Sequence, residues 1–435
     1  MSGICIDGHN LALPTGSGIA TYARSLLVGI RALGAEAHVL HGPLTGITPD
    51  PLLREITVSD ARLKAKAAIT LQPSRHVQVA LAGLGRRAWP IQPSGRIQWP
   101  AGPSRPDADM YWLSENLFRI ASRAFSKTRT VTPVQFAAPS VARPDLMHWT
   151  YPTPIRARGV PNLYTFHDLI PLKLPHTTLD DKRRYLDLCR GIARRADHIL
   201  AVSETTRRDV IELLGVEPDR ITTTWQSADI PAGAMDQPEA DVARGLEDQF
   251  GVGWKSYFLF FSAIEPKKNL ARLVEAYLNS GVETPLIVVG GRAWPGESES
   301  GFLSEMIASE TRAGRRLRKY DHLPRATLIN LVRGARATLF PSLYEGFGLP
   351  VLESMMMGTP VLASNSGSLP EIAGGAALTV DPYDVDDIAT AIRRMDADEG
   401  LRDDLALRGT ARAAFFAPDA YHQRLEPVYR QFGAL

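Results

Sequence analysis

Between Tyr257 and Met395 short apolar runs alternate with amphipathic stretches of helical length. No other feature constrains the fold as strongly. Tyr257–Ala263, Leu286–Gly290, Ala337–Phe340, Pro360–Ala363 and Ala377–Val380 are four to seven residues long and nearly continuous in apolar character. Such runs suit strands covered on both faces. The segments Leu270–Leu278, Gly301–Ala313, Arg325–Arg333, Leu349–Met357, Ser368–Ala373 and Val385–Met395 read as helices. Strands separated by helices are joined by crossovers, which makes the expected sheet parallel.

The first half repeats the pattern less regularly. Ile4-Cys5-Ile6 ends at Asp7, a loop with Gly16 and Gly18 follows, and Ile19–Leu33 carries an apolar helical face closed by Gly34. Ala37–Leu40, Asp145–His148, Asn162–Phe166, His198–Val202 and Ile221–Thr224 are the further strands expected. Helices are expected over Asp180–Ala196 and from Ser203, a capping residue, to Leu214, with Gly215 as the stop. The reading divides the chain into an N-terminal domain (1–228), a Pro- and acid-containing linker (229–250), a second domain (251–412) and C-terminal helices (413–435) packing back on the first. The fold class is α/β: two doubly wound domains facing across a cleft, with ligands beyond the carboxyl ends of the strands.

Lys and Arg exceed Asp and Glu by only two, 49 against 47, which excludes a nucleic-acid-coating protein. The two cysteines, Cys5 and Cys189, exclude a disulfide framework and a cysteine zinc site. No run reaches the ~18 apolar residues of a membrane span. Asp7 interrupts the N-terminus before a secretory signal forms, so the expected location is the cytoplasm. The 62–129 segment carries twelve basic and three acidic residues among aromatic ones, with prolines at 90, 93, 100, 103 and 106. It reads as loops with one or two helices. Its charge suits either peripheral contact with an anionic membrane or lipid diphosphate, or a solvated acceptor loop.

Chemistry concentrates in Ala337–Val361. A strand ends at Phe340, and Glu345 follows in a loop whose glycines, Gly346 and Gly348, let backbone approach a ligand. Pro350 opens a helix, and Glu353 is expected in its first turn. Two carboxylates and a set of free helical N–H groups then line one pocket, suited to sugar hydroxyls and to phosphate. Lys268 follows the strand Tyr257–Ala263 and precedes Asn269, a candidate helix cap.

Glu345-Gly-Phe-Gly-Leu-Pro-Val-Leu-Glu353 resembles the E-x7-E motif of glycosyltransferase family 4, retaining enzymes of the GT-B fold. Pro341-Ser342, Gly358-Thr359-Pro360-Val361, Pro370-Glu371, Glu265-Pro266-Lys267-Lys268-Asn269-Leu270, Ile6-Asp7, Gly16-Ser17-Gly18-Ile19 and His167-Asp168-Leu169 resemble the same family. The resemblance spans the chain outside about 50–140.

The resemblance implies a donor nucleotide-diphosphate sugar and no metal or other cofactor. His167, Glu345 and Lys268 would be catalytic. Gly16, Gly18, Lys267, Lys268, Arg292, the backbone of Gly346, Phe347, Gly348 and Leu349, and the carboxylate of Glu353 would bind the donor. Ala263 stands where many members carry arginine, so Lys267 or Arg292 would supply the second charge. Gln226-Ser227 replaces an Asn-Gly turn, and Asp321 replaces a glycine. The implied reaction moves a hexose, mannose or rhamnose, to a glycan or polyprenyl-linked glycan in polysaccharide assembly, in the cytoplasm or at the inner membrane face. A nucleotide-sugar hydrolase or epimerase and a non-catalytic scaffold are the competing readings.

Overall fold

The computed structural model describes residues 2–12, 18–43, 50–59, 75–91, 93–99, 107–137, 143–231, 233–291 and 314–435. Gly16, Arg292, the helix expected at 301–313 and much of the basic segment, including 62–74, lie outside the described residues.

Among the described residues the first sheet has ten strands: β1 (Gly3–Asp7), β2 (Glu36–His41), β3 (Arg86–Ile91), β4 (Met110–Leu113), β5 (Thr132–Phe136), β6 (Leu146–Trp149), β7 (Ile155–Ala157), β8 (Asn162–Phe166), β9 (His198–Ala201) and β10 (Ile221–Thr223). Their order is β10-β9-β8-β6-β1-β2-β4-β3-β5-β7, and every pair is parallel except β3 with β4. The second sheet holds β11 (Phe258–Phe261), β12 (Leu286–Val289), β13 (Leu317–Tyr320), β14 (Ala337–Phe340), β15 (Val361–Ser364) and β16 (Leu378–Val380). It is wholly parallel in the order β13-β12-β11-β14-β15-β16. That order reverses between β11 and β14, and the first sheet reverses between β1 and β6. Each reversal opens a crevice beyond the strand ends.

The basic, aromatic segment differs from its expectation. It supplies β3, β4 and the helix Leu117–Thr128. Tyr111 and Trp112 are fully buried, and Phe118 and Phe125 nearly so. Trp112 packs edge-on to Phe136. These rings are core, and are therefore unavailable as membrane anchors. Part of the charge is also paired: Asp187 holds Arg129 at 2.8 Å, and the Glu115 carbonyl accepts from Arg86.

The stretch read as a linker contains the helix Glu239–Phe250, which sends Val242, Leu246 and Phe250 into the second core. Their four-residue spacing forms one stripe. Strand β13 was not expected either. Its Leu-Arg-Lys-Tyr sequence is that of an edge strand, half-exposed along most of its length.

The last helix, Pro418–Gln431, returns to the first domain. Tyr421, Leu425, Val428 and Tyr429 are buried among Ile4, Ile6, Leu26 and Ile30. A Cβ on Gly29 would meet the His422 ring at 2.9 Å, so the helix Pro418–Gln431 lays that side chain directly on the backbone of the helix Gly18–Ala32. His148 ties the same helix down, bonding Tyr429 Oη and Thr165 Oγ1 at 2.8 Å each. Burial pushes its imidazole down to about 3, with His167 adding to the shift, so the ring is neutral. The two passages between the domains are stitched by Arg424. Its guanidinium donates to the Thr224 carbonyl at 3.0 Å and lies over Trp225 and Phe415. Leu425→Ala leaves a cavity under a fully buried side chain and is expected to cost about 2–5 kcal/mol. Urea unfolding followed by circular dichroism measures it.

Candidate active site

The second sheet's crevice is formed by the loops after β11 and β14. The first loop carries Lys267 and Lys268 in a short turn, Pro266–Lys268, and the second carries Glu345. Lys268 Nζ lies 2.6 Å from Glu345 Oε1, and both side chains are nearly buried. Burial by itself would raise the Glu345 carboxyl. The Lys268 and Lys267 ammoniums outweigh it and hold the group below the ordinary carboxylate range. Lys267 pairs with Glu265 at 3.3 Å. Burial opposes its charge, but Asp168, Glu345 and Glu265 hold the ammonium well above the usual lysine value. The crevice therefore contains two fixed cations against a ring of carboxylates.

The helix after Glu345 runs Leu349–Met356, with Gly348 at its N-cap in a left-handed conformation (φ 107°). Glu353 is its fifth residue, so it lies in the second turn and not the first. Its nearly buried carboxylate accepts from Arg325 at 2.8 Å. The Phe347 side chain turns away from the crevice into the core, edge-on to Phe416, so only its backbone is free for a ligand. Asn269 does not cap its helix. It sits in the left-handed region, and its amide donates to the carbonyls of Pro341 and Pro382 instead, tying three loops together. Among the described residues no three His, Cys, Asp or Glu side chains converge as a metal cage.

The first domain meets this crevice through β8. His167 follows Phe166, the last residue of β8, and donates from Nε2 to the Thr150 carbonyl at 2.8 Å. Tyr22 packs edge-on against its ring, 4.9 Å between centroids. Burial lowers its pKa against the Thr150 bond and Asp168, favouring the neutral ring with Nδ1 as acceptor. A Cβ built on Gly346 would come 1.8 Å from the His167 carbonyl oxygen, so only glycine permits this approach. Ser203 Oγ, which caps the helix Glu204–Leu214, also donates to the Gly346 carbonyl at 2.6 Å. Gly18 opens the helix Gly18–Ala32, and a Cβ there would be 3.6 Å from Leu349. Two helix N-termini from opposite domains thus adjoin, an arrangement that favours an anion.

Asp7, singled out in the sequence only within a motif, has a conspicuous place. It ends β1 at the first sheet's reversal, is fully buried, and accepts the Thr150 N–H at 2.6 Å. Among the described residues its Oδ1 has no hydrogen-bond partner. Burial pushes the carboxyl up to about 6 against the opposing hydrogen bonds. Arg325, Asp168 and Glu371 are further polar residues of this region; the sequence marks Asp168 and Glu371 only within motifs and Arg325 not at all. Spacing carries no signal for Arg325 and Glu371, because their partners come from distant segments.

The raised Asp7 value has a definite sign. The folded state holds the proton between the ordinary 3.8 and about 6, so stability is lost as pH rises through that window. Asp7→Asn is expected to gain up to ~3 kcal/mol over wild type above pH 7. The gain should vanish near pH 4, and thermal melts across pH read it; a difference independent of pH would contradict the assignment.

Comparison with known proteins agrees with this architecture. Residues 16–226 match Glycosyltransferase Family 4, and residues 248–412 match Glycosyl transferases group 1. The chain is 35% identical over 260 residues to O-antigen chain mannosyltransferase B of Escherichia coli, covering 58% of this chain and 66% of that protein. It spans only about a third of other matched mannosyltransferases of that species. Sucrose-phosphate synthase from Thermosynechococcus elongatus superposes with a TM-score of 0.66 at 19% identity, covering 100% of both chains. HepE of Anabaena, solved with UDP and glucose, gives 0.62 at 17% identity over 99% of this chain and 100% of that one. Two Rossmann-like sheets with this crevice, matched by sequence over both halves, make the chain a member of glycosyltransferase family 4 with the GT-B fold.

Proposed function

We propose that the chain is a retaining mannosyltransferase that moves mannose from a nucleoside-diphosphate donor to a glycan or polyprenyl-linked glycan, working in the cytoplasm or at the inner membrane face. The observation that carries the reading is the Lys268–Glu345 pair, set at the second sheet's reversal beside two helix N-termini. The likeness to the E. coli O-antigen chain mannosyltransferase supports mannose ahead of rhamnose, and the HepE neighbour supports a nucleoside diphosphate in the cleft.

In this reading Glu353, oriented by Arg325, receives the ribose hydroxyls. Lys268 and Lys267 meet the diphosphate together with the N–H groups of Gly346–Leu349 and the first turn from Gly18. Glu345, ionised by its lysine neighbours, accepts hydrogen bonds from hydroxyls of the donor sugar. As the bond from the anomeric carbon to the phosphate oxygen breaks, charge grows on the leaving diphosphate. Preorganised cations and helix dipoles stabilise it there. His167, held by Thr150 and Tyr22, presents its ring to the sugar from the opposite domain.

A thermal-shift panel of GDP, UDP, ADP and dTDP, with and without magnesium, tests the donor reading. One nucleotide should raise the melting temperature regardless of metal. At a hundred times Kd the gain is about 2.7 kcal/mol, on the order of several degrees. Lys268→Ala should weaken that shift and lower kcat by ~10²-fold or more. A panel with no shift for any nucleotide would remove the donor assignment.

A further inference from the structure

Pro370-Glu371 belongs to the sequence motifs above, yet the donor chemistry does not use it. Glu371 lies on the short helix Leu369–Ala373 of the second domain. Its carboxylate reaches across to the first domain and accepts from four donors. Oε1 takes the Glu204 N–H at 2.8 Å and the Trp225 indole at 2.7 Å. Oε2 takes the Thr205 N–H at 3.1 Å and the Thr205 hydroxyl at 3.2 Å. Glu204 and Thr205 are the first two residues of the helix Glu204–Leu214, so an anion from one domain meets the free N–H groups of a helix in the other. Charge-assisted bonds of this kind are stronger than neutral ones.

The contact continues directly into the reaction centre. The single Thr205 hydroxyl proton is shared between Glu371 Oε2 and the Gly367 carbonyl, each at 3.2 Å, and the Ser368 N–H donates to the Glu345 carbonyl at 3.1 Å. In the same helical turn the Ser203 hydroxyl donates to the Gly346 carbonyl, and the single Thr206 hydroxyl proton is shared between the Gly346 and His167 carbonyls at 3.2 and 3.1 Å. A rotation of one domain away from the other breaks this set together. Lys268, Glu345 and Glu353 all belong to the second domain and keep their mutual geometry when it does. His167 belongs to the first and departs.

From this geometry we infer that Glu371 is a positioning residue for transfer: its carboxylate clasps the N-terminus of the Glu204–Leu214 helix and Trp225, and so holds His167 against the Lys268–Glu345 pair without touching the donor. The inference rests on the donor reading above.

Glu371→Gln keeps the shape but removes the charge and turns an NH2 toward the backbone N–H or indole groups, which can only donate. The expected result is nucleotide affinity within about twofold of wild type and kcat lower by tenfold or more, the scale of a lost charge-assisted bond. X-ray scattering should show a larger radius of gyration. Trp225→Phe removes one donor and should lower kcat less. The double variant should be no worse than Glu371→Gln alone, since the two act through one contact.

Unchanged kcat in a folded Glu371→Gln overturns the proposal, as does a loss shared equally with nucleotide affinity at unchanged radius. If Glu371→Gln does not fold, a Trp225→Phe that melts like wild type with full kcat overturns it. If wild type binds no nucleotide, the donor reading has failed; the clasp is still judged by the radius of Glu371→Gln, which must exceed that of wild type.

Discussion

The structure depends on one close approach between backbones. The His167 carbonyl occupies the space that any side chain at residue 346 would need. This contact sets how near the two sheets come, and the other interdomain bonds are arranged around it. Ser203 and Thr206 donate to Gly346 because the loop comes that near. Tyr344, the residue before Glu345, reaches Asp209 at 2.5 Å, and Lys173 completes a small charged cluster at 2.8 Å. A methyl group at position 346 would disturb these partners without itself altering a charge.

The site also shows how burial and charge are balanced. Glu345 and Asp7 are both buried carboxyls at sheet reversals, yet they are displaced in opposite directions. Glu345 has Lys268 and Lys267 against it, and charge wins over desolvation. Asp7 has hydrogen bonds but, among the described residues, no cation, and desolvation wins. The same residue class at two equivalent points of two similar sheets therefore titrates on opposite sides of its ordinary range, because the neighbours differ.

Much of this was legible in the sequence, and the exceptions have physical causes. The second domain could be read because fully buried parallel strands such as Phe258–Phe261 and Ala337–Phe340 are unbroken apolar runs between helices of clear periodicity. Glu345 and Lys268 could be paired because each follows such a strand. In the first domain β3 escaped notice because Arg86, Arg87 and Pro90 break its pattern. As the strand that reverses direction against β4, it is buried only at Ala88 and Ile91. The burial of Tyr111 and Trp112 is not legible in the basic segment because a one-dimensional pattern does not say which surface covers an aromatic ring. The helix Glu239–Phe250 was obscured by the prolines before it, although Val242, Leu246 and Phe250 carried the signal. Glu371 could be recognised as part of a motif, but its partners, Glu204, Thr205 and Trp225, are about 150 residues away, a separation that no local spacing reveals.

The return of Pro418–Gln431 to the first domain gives the molecule two covalent crossings, fastened to each other where Arg424 meets Thr224, Trp225 and Phe415. A body joined to another along a single strand can wobble in any direction. Two adjacent struts leave mainly one easy degree of freedom, a swing about the line through both. An opening between the halves would be steered along the arc these two struts allow.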